Sequence, residues 1–200
     1  MLLWSIEKLD KLKIFASAAG FQPATPEEPE PDYVCLAHYW LMQKMVEKIG
    51  PPPELAGGFV EAYYQARDHH RRRPDLRRGV YYSSGDKLLR IEFEAPGDQV
   101  LLFDLQAWML VSSRAYIPLD LKDAEAFDEE IERCGIQKRG RRWDQAPMDL
   151  RRKMVESWDR IFDLDHTSDL TEPREEKEIL AVLWKVEPEW IRDIQLFTAR

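Results

Sequence analysis

The sequence predicts an α+β fold in which a mixed sheet is packed by helices. Three observations lead there. Leu89, Ile91, Phe93 and Ala95 alternate with Arg90, Glu92 and Glu94, the period of a strand with one polar face. Ile179 to Val186 is a near-continuous apolar run, which suits a strand covered on both faces. Asp32 to Ile49 and Pro147 to Phe162 instead keep helical spacing, each with a tryptophan on its stripe. Strand and helix signals fall in segregated groups rather than in regular βαβ alternation, and this favours α+β over a parallel α/β sheet.

The elements follow in order along the chain. Leu2 to Ile6 is a short apolar run suited to a buried strand, and Glu7 opens helical spacing through Leu9, Leu12, Phe15, Ala16 and Ala19 to a stop at Gly20. Residues 22–31 carry Pro23, Pro26, Pro29 and Pro31 among glutamates, so they form neither helix interior nor ladder. Asp32 caps a helix whose stripe is Leu36, Trp40, Gln43 and Ile49 with Tyr39 and Val46, closed by Gly50 and three prolines. Phe59 to Gln65 reads as an aromatic strand leading into a basic loop. Beyond the alternating strand, Pro96-Gly97-Asp98 turns the chain into Val100 to Phe103, and Asp104 caps a short helix over 105–111. Residues 120–135 form an acidic helical insertion that stops at Gly135. Leu150, Met154, Trp158 and Ile161 make the stripe of the next helix, with Pro147 in its first turn. After the run at 179–186, Ile194 to Phe197 adds a last short strand.

Length and composition bound the function. The 200 residues suit a single domain, and 44% hydrophobic residues supply a core. No apolar run approaches the roughly 18 residues of a membrane helix, and the apolar start is broken at Glu7, Lys8 and Asp10, so the expected location is cytoplasmic with no membrane partner. Cys35 and Cys134 are the only cysteines and four scattered histidines have no ligand spacing, which argues against a disulfide framework and against a structural metal. A net charge of −8 excludes a surface that coats nucleic acid throughout. The charge is nonetheless blocky. Arg67 to Arg78 holds six arginines against Asp68 and Asp75, and Lys138 to Lys153 holds seven basic residues against Asp144 and Asp149.

The phosphate cradles G-x-x-x-x-G-K-[ST] and G-x-G-x-x-G are missing. The distinctive short motif is Arg71 to Arg78, where guanidinium forks beside the stiffening Pro74 suit a phosphate, an RNA backbone or an acidic protein partner. The candidate ligand-binding residues are Trp4, Ser5, Tyr64, Arg73, Asp75 and Arg77, with Trp4 and Tyr64 stacking on a base and the arginines on phosphate. Asp163 and Asp165, just past a helix end, are further candidates to reach a cleft.

Leu3-Trp4-Ser5-Ile6, Tyr63-Tyr64-Gln65 with Arg73-Pro74-Asp75-Leu76-Arg77, Leu101-Leu102-Phe103-Asp104 with Trp108, and Ser157 to Leu164 together resemble the bacterial domain-of-unknown-function family 3841 over nearly the whole chain. That resemblance implies no activity. The C-terminal segment, Leu180-Ala181-Val182 to Val186-Glu187-Pro188-Glu189-Trp190-Ile191, is similar to that of ADP-ribosyltransferase-like toxins. This second resemblance implies a cleft flanked by the first and the late strand, NAD as cofactor, and a glutamate that stabilises the cationic transition state. Val182 stands where that glutamate would be, and Glu92 and Glu94 are the carboxylates that could replace it as catalytic groups. The expectation is a degenerate transferase fold that binds a nucleotide or nucleic-acid end with little or no NAD turnover. The alternative is a non-enzymatic interaction module whose basic patches meet an acidic protein partner or RNA.

Overall fold

A computed structural model describes residues 1–9, 32–53, 58–66, 72–76, 82–136 and 146–199. Its strands are β1 (Leu2–Lys8), β2 (Val60–Gln65), β3 (Lys87–Glu94), β4 (Leu101–Asp104), β5 (Ile179–Leu183) and β6 (Ile191–Thr198). Its helices are α1 (Asp32–Ile49), α2 (Leu105–Ser112), α3 (Leu121–Arg133) and α4 (Met148–Ser157), the last continued by a 3₁₀ turn over Trp158–Phe162. None of the described helices is long and apolar enough to cross a membrane.

The class is α+β, and the four strands expected in one sheet all lie in it. The order is β4-β5-β2-β1-β3-β6. The pairings of β1 with β2 and β3, of β2 with β5 and of β3 with β6 are antiparallel. A parallel pair needs a crossover that returns the chain to its starting end. Here the excursion that includes α1 leaves β1 and enters β2 at the same end, so the neighbours run in opposite directions. The order also separates β1 from β5, because β2 lies between them. The two strands that the transferase resemblance set around a cleft are therefore not adjacent.

Contacts group the residues into two compact units, one of 1–30, 39–102 and 178–200 and one of 31–38 and 103–177. In the first, cross-strand register assigns each side chain to a face. Leu3, Val60, Ala62, Leu89, Ile91, Phe93, Ala181 and Leu183 share a buried cluster on one face. Ile6, Leu88 and Ala199 form a smaller cluster on the other, joined by Tyr63, Leu76, Tyr82 and Phe197. Helix α1 ends at Gly50, whose φ of 88° is the left-handed conformation that glycine adopts without cost. The Gly50 carbonyl accepts the Trp184 indole N–H at 2.9 Å, which ties the helix end to the end of β5.

Two sequence expectations change here. Glu7 does not open a helix; it extends β1 opposite Leu89, and the rest of that expected helix and the Pro/Glu-rich segment lie outside the described residues. The buried stripe of α1 is Ala37, Leu41 and Met45, while Leu36, Tyr39 and Val46 are exposed and Trp40 is half-buried. Both stripes keep i, i+4 spacing, so the period fixes a shared face but not which of the two faces is buried.

The second unit is organised by side chains that clamp the segment between α2 and α3. Asp104 caps α2, accepting from the Gln106 N–H at 2.8 Å and the Ala107 N–H at 3.3 Å. Asp120 caps α3, which ends before Gly135 at φ 73°. From α4 and its 3₁₀ extension, Ser157 Oγ accepts the Ile117 N–H at 3.0 Å and Trp158 donates to the Ala115 carbonyl at 2.8 Å. Arg160 reaches the Ile117 carbonyl, Tyr116 and Asp123. Leu150, Met154, Trp158 and Ile161 are all buried, as their stripe predicts.

Asp123 gathers the Leu119 N–H, the Tyr116 hydroxyl and Arg160. Desolvation is the largest single influence and pushes its carboxyl up, but these hydrogen bonds and the Arg160 charge together hold it below the ordinary carboxylate range. A depressed folded pKa contributes stability above the unfolded pKa and loses it as pH falls through the folded one. Acid unfolding of Asp123→Asn should accordingly show a flatter loss of stability below pH ~4. A midpoint-versus-pH series checks this, and equal slopes for the two proteins would contradict it.

Candidate functional site

Direct cross-strand neighbours in an antiparallel sheet point to the same side. The register therefore builds one row across the sheet from Leu180 on β5 through Tyr63, Trp4 and Glu92 to Asp193 on β6. The adjoining rows of this face hold Ile6, Arg90 and Gln195 on one side, and Leu2 and Glu94 on the other. Two aromatic rings, three carboxylates and a guanidinium thus share the face that also carries the small Ile6 cluster.

Trp4 is only 5% exposed, and its indole N–H donates to Glu92 Oε2 at 2.7 Å. Glu94, exposed, pairs with Arg192 at 2.8 Å. Arg90 is the unusual residue. It is 5% exposed, has no ion-pair partner among the described residues, and donates from one terminal nitrogen to Gln195 Oε1 at 2.6 Å while its Nε–H is buried without any acceptor. Burial first, and then the nearby positive charge of Arg73, lower the affinity of this guanidinium for its proton against the opposite pull of Glu92 and Asp193. Two like charges are therefore held close enough to repel.

The predicted binding residues distribute as follows. Trp4 lies in this row, and Arg73 is exposed, its charge being one of the influences on Arg90. Tyr64 does not lie on this face, because adjacent strand residues point to opposite faces, and Tyr64 packs with Val60 and Ala62 in the buried cluster that contains Leu3. The ring neighbouring Trp4 is Tyr63. Trp4 and Tyr64 accordingly cannot stack on a single base. Tyr64 carries the Arg72 guanidinium 4.8 Å above its ring, a cation–π contact that fixes the start of the basic loop. Ser5 points to the Leu3 side, is buried, and donates to Glu7 at 2.8 Å. Pro74 is buried and Leu76 packs on the Ile6 cluster, so the described part of the loop is anchored while Arg73 stays exposed. Asp75 is half-buried, and Arg77 lies outside the described residues.

Of the two catalytic candidates, Glu92 is bonded to Trp4 and Glu94 to Arg192. Val182 is fully buried, and the residue directly across from it is Glu61, a carboxylate that the sequence comparison of single segments does not reveal. Asp163 is exposed and Asp165 pairs with Arg174 at 2.8 Å. Much of the second basic block lies outside the described residues; within it, Arg151 donates to the Ala146 carbonyl and Lys153 pairs with Glu130. Among the described residues no group of three or more His, Cys, Asp or Glu is gathered to hold a metal ion.

Arg90, Glu61, Tyr63 and Gln195 are the site residues that sequence reasoning missed. A signal for Arg90 was present. Leu88 and Arg90 share a face by alternation, so an apolar residue stood where a wholly wet face would not place one.

The family model described as Domain of unknown function (DUF3841) matches residues 4–192. The chain belongs to that family. No curated protein and no solved structure matches it. In this family member, two of the segments that carry the resemblance are structural. Asp104 is a helix cap, Trp108 stacks on His38 and packs edge-on against Phe103, and Ser157, Trp158 and Arg160 clamp the segment before α3. The segments that reach the polar face are the first strand and the Arg73-Pro74-Asp75-Leu76 loop.

Proposed function

We propose that this chain is a binding protein for a phosphate-bearing ligand of the nucleotide or RNA-end class, held on the polar face of the sheet by Arg73 and Arg90. The observation that supports this reading is the buried Arg90 guanidinium with an unsatisfied Nε–H and no carboxylate paired to it among the described residues. Buried charges are ordinarily paired, because an uncompensated one costs several kcal/mol. A phosphate answers both deficits at once: it supplies the missing acceptor and screens Arg90 from Arg73. Exposed Arg73 meets the anion and Arg90 backs it. Glu92 keeps one oxygen beyond its bond to Trp4, which suits a sugar hydroxyl and favours a nucleotide over inorganic phosphate. The flanking Glu94 and Asp193 and the net charge of −8 confine such recognition to a local site.

Calorimetric titration at one fixed salt concentration with phosphate, a mononucleotide, NAD and a short RNA tests the proposal. A nucleotide-bearing ligand should bind. Arg90→Lys should weaken binding about 10- to 100-fold although charge is kept, because an ammonium lacks the planar fork and one charge-assisted hydrogen bond is worth roughly 1.5 to 3 kcal/mol. No binding by any member of the panel, or equal affinity for the variant, would reject the proposal.

A further inference from the structure

We propose that β6 is a self-association edge, at which a second copy of this chain adds its own β6 antiparallel to make one continuous sheet. This goes beyond the ligand reading and does not depend on it. Strand β6 ends the sheet order, and no described strand pairs with its outer side. Edge strands invite pairing, and proteins blunt them with charges, proline, bulges or shortness; the one register irregularity of β6 lies at its Ile191 to Asp193 end. Strand β6 is eight residues long and contains neither lysine nor proline. Its only charges, Arg192 and Asp193, sit at one end, and Arg192 is already paired with Glu94. Ile194 and Leu196 stand 38% and 57% exposed on one face, beside their buried cross-strand neighbours Ile91 and Leu89.

The occupant follows from the register. The Ala199 N–H donates inward to the Asp86 carbonyl. By the alternation of an antiparallel ladder, Phe197 and Gln195 also bond inward, which leaves the N–H and C=O groups of Ile194 and Leu196 directed outward. A two-fold axis beside Gln195 then pairs Ile194 of each copy with Leu196 of the other. Both residues have the outward groups needed for mutual hydrogen bonds, and their side chains meet on the same face. The two exposed aliphatic residues are thus complementary to themselves in the one antiparallel register centred on Gln195. A foreign peptide would have to supply that pattern; a second copy already has it.

Sedimentation velocity of the full chain over a range from low-micromolar to near-millimolar concentration should show mass rising reversibly from 23.6 kDa towards that of a dimer. Leu196→Lys should hold it at the monomer mass with an unchanged circular dichroism spectrum. A second measurement reads the register. Facing residues of a pair without mutual hydrogen bonds lie about 4.5 Å apart at Cα, within disulfide range. In a Cys35→Ser, Cys134→Ser background, Gln195→Cys should therefore cross-link to a dimer under mild oxidation, and addition of Leu196→Lys should abolish the cross-link. A monomer at every concentration, or a dimer indifferent to Leu196→Lys, would overturn the proposal.

Discussion

Trp158→Ala lowers the unfolding free energy by about 3 to 5 kcal/mol, the range for emptying a large aromatic site. The residue is 1% exposed at the centre of the α4 stripe, between buried Met154 and Ile161. Its indole N–H also holds the Ala115 carbonyl in a segment with no regular structure of its own. Truncation therefore removes volume and leaves that acceptor without its donor. Trp158→Phe divides the two effects: most of the volume is kept, and the loss should fall to roughly the 1 to 3 kcal/mol of an unsatisfied buried polar group. Urea titration followed by circular dichroism measures both variants. A loss below about 1 kcal/mol for the alanine would mean that the unit can close over the vacated space.

Asp104→Ala should be comparably severe, through charge. Asp104 and Lys177 are both buried, with Lys177 Nζ 3.6 Å from Asp104 Oδ2 and donating to the Leu164 and His166 carbonyls. Removing the carboxylate takes an opposite charge from a buried ammonium, and breaking such a pair costs about 3 to 5 kcal/mol. Loss of the α2 cap adds roughly 1 kcal/mol. Asp104→Asn keeps an oxygen for the Gln106 N–H while deleting the charge. If the pair dominates, the asparagine variant lies near the alanine one. If capping dominates, it lies near the wild type. The same denaturant series decides between them.

Several signals decided by local sequence were legible. The Asp104 cap, the Gly135 stop, the α4 stripe and the alternation of β3 each depend on residues within a few positions of one another, and all are present. Properties decided by distant neighbours were not legible. Leu88 on the same face hints at Arg90, but its burial is decided only when its strand lies between β1 and β6. Tyr63 and Tyr64 must face opposite sides of their strand, and only the pairing of β2 with β1 assigns Tyr63 to the row with Trp4. The separation of β1 from β5 by β2 is a matter of strand order, which no period within either segment encodes. In α1 more than one stripe keeps helical spacing, and only packing against the rest of the chain selects Ala37, Leu41 and Met45 as the buried one.

The clamp on the segment before α3 has a consequence for how that region opens. Ile117 bonds through its N–H to a buried Ser157 hydroxyl, which itself donates to the Met154 carbonyl at 2.6 Å. A surface connection usually trades its amide protons with solvent by small, independent excursions. This one cannot release Ile117 without also disturbing the last turn of α4. The Ile117 amide should therefore exchange deuterium in step with the interior amides of α4, as part of one cooperative opening, although it belongs to no helix or strand.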